Sequence, residues 1–269
     1  MTGSDTPAAN TDADAAIATD GGVDIDVDVP FSPLERAAYL PDADALLVAD
    51  VHLGRAAASS VDAPIDDGAD VRDRLASLLE RTGAGTVVVA GDLLHSFNSV
   101  PHGVARDLSA LESAVTAAGA DFVVTPGNHD TMLAELEGFD GEVVDEYRLA
   151  DGETVVCHGH EQPSAEAKRY VVGHDHPALS IEGRKRPCFL YGPGVYESGT
   201  GTATGDPADV LVLPAFTRLA GGAAVNGMRA RDFQSPLVAD ADAFYPAVWD
   251  GEREESLWFP PLGECRRLL

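Results

Sequence analysis

Five short stretches of this chain carry side chains that could bind a metal ion or move a proton, and each follows an apolar run. They are Asp50-Val51-His52-Leu53-Gly54, Gly91-Asp92-Leu93-Leu94-His95, Gly127-Asn128-His129-Asp130, His158-Gly159-His160 and Gly173-His174-Asp175-His176. In the third, Asn offers a neutral carbonyl oxygen, His a titratable nitrogen, and Asp an anion able to fix the His. Taken alone, Gly-Asn-His-Asp also reads as a turn, because Gly, Asn and Asp all favour turns. A single His at a strand end is more often structural than ligating. Recurrence changes the reading: buried ionisable groups need partners, and here the natural partners are cations. The donors mix nitrogen and oxygen and include no thiolate, which suits Mn, Fe, Zn or Co better than Mg or Ca. There are too many ligands for one ion. Two ions about 3.5–4 Å apart form the clamp of phosphoester hydrolysis, lowering the pKa of a bridging water and neutralising phosphoryl oxygens.

The elements that must position these groups alternate along the chain. Residues 45–49, 86–90, 122–125, 154–157 and 170–172 are continuous apolar runs that read as buried strands, each ending in one motif. Between them, Val71, Leu75, Leu78 and Leu79 have the spacing of an amphipathic helix over 71–81, and 104–118 reads as a second helix. Thr131 is the expected N-cap of a short helix through Leu136. Two further runs, 188–191 and 210–213, carry no ligand-type residue and read as strands closing the core. Residues 23–29 alternate Val or Ile with Asp as a half-exposed strand does. Residues 1–22 are acidic, poor in apolar groups and expected to be disordered, while 214–269 show no clear period. Early strands separated by helices and later strands in close succession predict an α/β fold: two sheets packed as a sandwich between helices, in four αββα layers. The expected unit is one domain over 23–269, with its motif-bearing core at about 45–195. Its site lies beyond the carboxyl ends of the strands.

Charge bounds the partners. The 269 residues carry 45 acidic against 18 basic groups, a formal net charge of −27, and only Lys168 and Lys185 are lysines. Such a surface repels itself unless salt screens it, the balance of a halophile's protein. It excludes nucleic-acid binding through a general basic surface, and an anionic substrate would need a local positive centre such as metal ions. The only basic cluster is Arg184-Lys185-Arg186, read as a solvated loop or, for a polyanionic substrate, its second contact. Cys157, Cys188 and Cys265 have no paired spacing, which favours reduced, buried thiols in an intracellular protein. No signal peptide and no run of about 18–20 apolar residues is present, so a cytoplasmic protein without membrane contact is expected.

The order Asp-x-His, Gly-Asp, Gly-Asn-His-Asp, His-Gly-His, Gly-His-x-His resembles the calcineurin-like metallophosphoesterase family over about 45–195. Asp50 to Gly54, Gly91 to Ser96 and Leu213-Pro214-Ala215-Phe216 look most like its small cap-less members, including the DNA-ligase-associated phosphoesterases and their archaeal relatives. The resemblance implies a dinuclear hydrolase, manganese the leading metal with Fe, Zn or Co as alternatives, in which a metal-bridging hydroxide attacks a phosphoester. Asp50, His52 and His176 would bind the first ion, Asn128, His158 and His174 the second, and Asp92 would bridge both. His129 would protonate or hydrogen-bond the leaving-group oxygen, and Asp130 would orient its ring. His160 could replace His158. His95 faces the substrate or merely packs, Asp175 reads as a solvent-facing spacer, and Arg55 is a surface charge or a phosphate contact. The expected substrate is a phosphodiester, such as a nucleic-acid end or a nucleotide. Alternatives are a phosphomonoesterase of the same mechanism and a catalytically silent binding scaffold.

Overall fold

The computed structural model describes residues 29–58, 67–95, 103–136, 138–197 and 207–266. The acidic tail and all but the last residue of the strand expected over 23–29 lie outside the described residues. A first sheet takes the order β1 (Ser32–Leu34), β2 (Ala37–Leu40), β3 (Ala45–Val48), β4 (Thr86–Ala90), β5 (Asp121–Thr125) and β6 (Glu142–Val143). Its strands β3 to β6 run parallel. The second sheet contains β7 (Tyr147–Arg148), β8 (Thr154–Val156), β9 (Arg169–Val172), β10 (Pro177–Ile181), β11 (Arg184–Tyr196), β12 (Ala208–Val212), β13 (Ala223–Ala224), β14 (Tyr245–Asp250) and β15 (Glu255–Trp258). Its order is β13-β10-β11-β12-β9-β8-β7, with β14 paired to the long β11 and β15 to β14.

The apolar runs are continuous because each strand is covered on both faces. Leu46, Val48, Val87, Val89, Phe122 and Val124 face a cluster built with two helices, α2 (Asp67–Thr82) and α3 (Val104–Ala117); α1 is the short turn Arg55–Ala58. The buried positions of α2 include Val71, Leu75, Leu78 and Leu79, the spacing the sequence predicts. Alternate residues Ala45, Leu47, Ala49, Val88 and Val123 turn inward, meeting Val156, Val171, Phe189, Tyr191 and Leu211 between the sheets. The outer face of the second sheet, with Tyr170, Val172, Leu190 and Val212, is covered by Val225, Phe233, Leu237, Phe244 and Leu262. This fourth layer is made mainly of 3-10 turns and the single-turn helix α4 (Leu262–Cys265), which have no period to read, while 214–269 also supplies the strands β13, β14 and β15 of the second sheet.

The helix expected from Thr131 is instead one 3-10 turn, Leu133–Glu135, preceded by Met132 and with no side-chain cap. Leu133 is the one residue of that turn that is buried, too little apolar surface to carry a longer helix. All three cysteines are buried and free. Among the described residues no helix is long and apolar enough to cross a membrane.

Candidate metal centre

Each motif begins where its strand stops, and the backbone there is forced to turn sharply. Asp50, His52, Asp92, His174 and His176 all adopt left-handed φ, at 53°, 51°, 49°, 71° and 45°. Non-glycine residues in this region cost of order 1–3 kcal/mol each, so the surroundings must hold them. They do so by zipping the first two motifs together: the amides of Asp50, His52 and Leu53 donate to the carbonyls of Gly91, Asp92 and Leu93 at 2.8–3.0 Å. The amide of His174 donates to the Asp50 carboxylate, joining the second sheet to the first. From the C-terminal part, Phe216 donates its amide to the Ala49 carbonyl at 2.8 Å, and Arg36 and Arg74 donate to carbonyls of the 215–217 segment.

Seven side chains meet at this junction in two groups. In one, His176 Nε2 lies 3.1 Å from Asp50 Oδ1 and 3.3 Å from His52 Nε2. In the other, His158 Nε2 lies 3.0 Å from His174 Nδ1 and 3.3 Å from Asn128 Oδ1. Asp92 stands between them: Oδ2 is 3.8 Å from His52 Nε2, and Oδ1 is 3.6 Å from His158 Nε2. The ligand atoms of Asp50, His52, Asp92 and His176 all fall within 4.8 Å of one another.

The donor set fits divalent cations. His158 Nδ1 faces the Ala90 carbonyl at 3.2 Å and His52 Nδ1 the Leu94 carbonyl at 3.4 Å, contacts that keep a proton on Nδ1 and leave the Nε2 lone pair directed inward. Burial, then neighbouring histidines, push His52 down to about 2; burial likewise lowers His158 to about 3 and His174 to about 4, so all three rings are neutral at neutral pH, the form able to ligate a cation. The carboxylates carry the opposite shift. Burial raises Asp50, and it raises Asp92 to about 7, so a divalent cation bound beside them would be what holds both ionised. His176 is pulled down by burial but raised above its ordinary value by the hydrogen bond and charge of Asp50.

Two glycines make the approach possible. A Cβ on Gly91 would sit 2.0 Å from His158 Nδ1, and one on Gly127 would sit 2.1 Å from Asp92 Oδ1. The Gly-Asp and Gly-Asn-His-Asp pairings in the sequence therefore have a packing reason as well as a turn-forming one.

Other expected residues take different places. Asp130, expected to orient the His129 ring, accepts hydrogen bonds from the backbone amides of Gly127, Leu93 and Leu94 at 2.7–3.2 Å. Its carboxylate holds the second and third motifs in register. Asp175 is not the solvent-facing spacer that its position suggests: it is buried and accepts from the amides of Gln234 and Ser235. His160 is exposed beside Glu161, whereas His158 is buried in the second group. His95 stacks on His129 with ring centroids 5.5 Å apart and meets the edge of His52. His129 turns Nε2 toward Asp92 Oδ2 at 3.9 Å.

The groups open into a pocket lined by Arg55, Asp92, Asn128, His129, His174 and His176. Its far wall is Ala220-Gly221-Gly222-Ala223 with Gln234. Nothing in the residue types of that wall marks it as part of a site; it is brought there by β13 pairing with β10 next to His176 and by the Asp175 contacts.

The calcineurin-like phosphoesterase family matches residues 44–188, more than half of the chain, which therefore belongs to this family of metal-dependent phosphoester hydrolases. Among solved structures, the Pseudomonas putida nuclease MPE shares 24% identity over 83% of this chain and 91% of its own, with a TM-score of 0.55, a likeness of fold. Yfce, a phosphoesterase from E. coli, shares 17% identity over 77% of this chain and 88% of its own at a TM-score of 0.39, too distant to add to the assignment. No curated protein matches the sequence.

Proposed function

We propose that the chain is a dinuclear phosphodiesterase acting on nucleic-acid strands or their ends, with manganese as its working metal. The observation that supports this most directly is Asp92, which turns one carboxylate oxygen toward each of two ligand groups. Asp50, His52 and His176 would hold one ion, Asn128, His158 and His174 the other, and Asp92 would be shared. The chemistry such a pair supplies when bound is activation of a water and neutralisation of phosphoryl charge. Arg55, which lines the pocket, binds a non-bridging phosphate oxygen. His129 presents Nε2 to the leaving-group oxygen. Burial, then the charges of His95 and His176, lower its pKa, so near neutral pH it acts by donating a hydrogen bond. Asp130 holds the second and third motifs together, and Asp175, which also lines the pocket, holds the Gln234–Ser235 segment in place.

A diester fits better than a monoester for two reasons. The pocket lining includes Gly221-Gly222, without side chains to crowd a second ester group. Among the described residues, Arg55 is the one Arg or Lys side chain in the pocket lining, a weak complement for a phosphomonoester dianion. The nuclease of similar fold agrees as an analogy, as does the likeness of the Asp50, Asp92 and Leu213–Phe216 motifs to DNA-ligase-associated phosphoesterases. We take 23–269 as a single domain, since residues 214–266 cover the second sheet and complete the pocket. The −27 charge fits a cytoplasm rich in salt.

The test is hydrolysis of bis-p-nitrophenyl phosphate and p-nitrophenyl phosphate side by side in about 1 M KCl, with Mn²⁺ restored after EDTA stripping. Metal-dependent turnover of the diester is expected. Turnover of the monoester alone would discard the diesterase reading, and silence on both with metal bound would favour a binding scaffold.

A further inference from the structure

Among the described residues, nearly every arginine of this acidic chain already has an oxygen partner. Arginines such as Arg74, Arg169 and Arg266 lie in ion pairs, while Arg36 and Arg148 donate to backbone carbonyls. Arg55, Arg184 and Arg186 do neither. One lines the pocket; the other two lie on the hairpin of β10 and β11, where Arg184, Lys185 and Arg186 are all exposed.

The topology puts that hairpin beside the site. Strand β12 is parallel to β9, and β11 is antiparallel to both β12 and β10, so β10 continues outward in the direction of the motif-bearing strand ends. It starts directly after His176. Arg186, Lys185 and Arg184 stand opposite Leu179, Ser180 and Ile181, roughly 10–17 Å beyond His176 at about 3.3 Å per residue. The turn is tight and ordered by type, with φ of 50° at Glu182 and 74° at Gly183. Lys185 Nζ donates to the Gly222 carbonyl at 3.0 Å, which ties the arm to the pocket wall. Strand alternation puts Arg184 and Arg186 on the other face.

We propose that this hairpin is a phosphate-binding arm for a single-stranded nucleic acid whose reacting phosphate lies against Arg55, an inference that rests on the phosphodiesterase reading above. The arm lies a few nucleotides beyond the His176 end of the pocket. A duplex, with one charge per about 1.7 Å, needs a broad basic surface that a chain of net charge −27 does not offer, whereas one strand can be held by a few cationic contacts. The arm gives the enzyme a preference for length without a general basic surface.

The experiment compares the wild type with Arg184→Gln/Arg186→Gln, which leaves the Lys185 tie in place, and with the charge-reversed Arg184→Glu/Arg186→Glu. Turnover is measured on thymidine oligonucleotides of increasing length and on bis-p-nitrophenyl phosphate; binding of a labelled oligonucleotide is followed by anisotropy in EDTA across a salt series. Expected for the Gln pair is a roughly tenfold fall in the ratio of oligonucleotide to small-diester kcat/KM. The slope of log affinity against log salt becomes shallower by about 1.4, two contacts at about 0.7 each. The Glu pair loses more on both measures. An unchanged ratio and slope would overturn the arm, as would equal loss on both substrates. Wild-type turnover of the small diester with no gain from length would refute the arm alone, while silence on every phosphodiester would refute the arm together with the reading beneath it.

Discussion

Replacing Asp92 with Asn should make the metal-free protein more stable while depriving it of metal. The unfolded chain ionises Asp92 in the ordinary carboxylate range, but burial raises it to about 7 in the folded protein. Stability therefore falls as pH rises toward 7, and the full penalty stands above it, at most roughly 4 kcal/mol for a carboxyl raised by about three pH units. His129 and His176, with side chains 22% and 21% exposed, let solvent into the pocket, so about half of that is the working figure. The neutral amide has no such penalty and keeps an oxygen for the His129 backbone amide, which donates to Asp92 Oδ1 at 3.0 Å. At pH 8 in EDTA, Asp92→Asn should melt about 4–8 °C above the wild type, and near pH 4 the difference should vanish. Adding Mn²⁺ should reverse the order, because only the wild type turns an anionic oxygen to each ligand group; affinity in the variant should fall by at least roughly 100-fold. The assay is thermal denaturation at both pH values, with and without metal. A variant less stable than the wild type in EDTA at pH 8, or one with undiminished response to Mn²⁺, would refute the reasoning.

Three further outcomes follow from the same geometry. His129→Ala should keep its full metal content by elemental analysis yet lose about 10²–10⁴ in kcat on diesters with poor leaving groups, and least on p-nitrophenyl esters. Asp175→Ala leaves the Gln234 and Ser235 amides without their acceptor, so denaturant unfolding should show about 1–3 kcal/mol of destabilisation, and steady-state kinetics a raised KM with kcat largely kept. Acid should unfold the metal-stripped protein. His52 and His158 are held far below their ordinary pKa, so their stabilisation is complete above about pH 6.5 and is lost as pH falls, at about 1.4 kcal/mol per pH unit for each ring. Asp50 and Asp92, raised by burial, act in the opposite sense, and Asp92→Asn should therefore lose stability on acidification more steeply than the wild type.

What the sequence made legible is chemistry that residue types carry by themselves. Strands buried on both faces are apolar throughout, so an Asp or His at the end of such a run stands out, and the α2 spacing follows from one buried face. The left-handed backbone at Asp50, His52, Asp92, His174 and His176 was hidden, because none is glycine and the strain is held by hydrogen bonds from distant segments. The burial of Asp175 and the amide contacts of Asp130 are hidden for a related reason. A carboxylate beside a histidine suggests a partnership within the motif, whereas their amide donors lie at Gln234 and Ser235 in one case and at Leu93 and Leu94 in the other. The pocket wall at Ala220–Ala223 has small, unremarkable residues, and its role comes from the pairing of Ala223 with Pro177.

The most direct test of the account is the metal content of the stripped and Mn²⁺-reloaded protein together with its electron paramagnetic resonance spectrum. Two ligand groups sharing Asp92 predict two ions per chain and an exchange-coupled spectrum from a manganese pair. One ion per chain, or two ions giving only the six-line signal of isolated manganese, would contradict it.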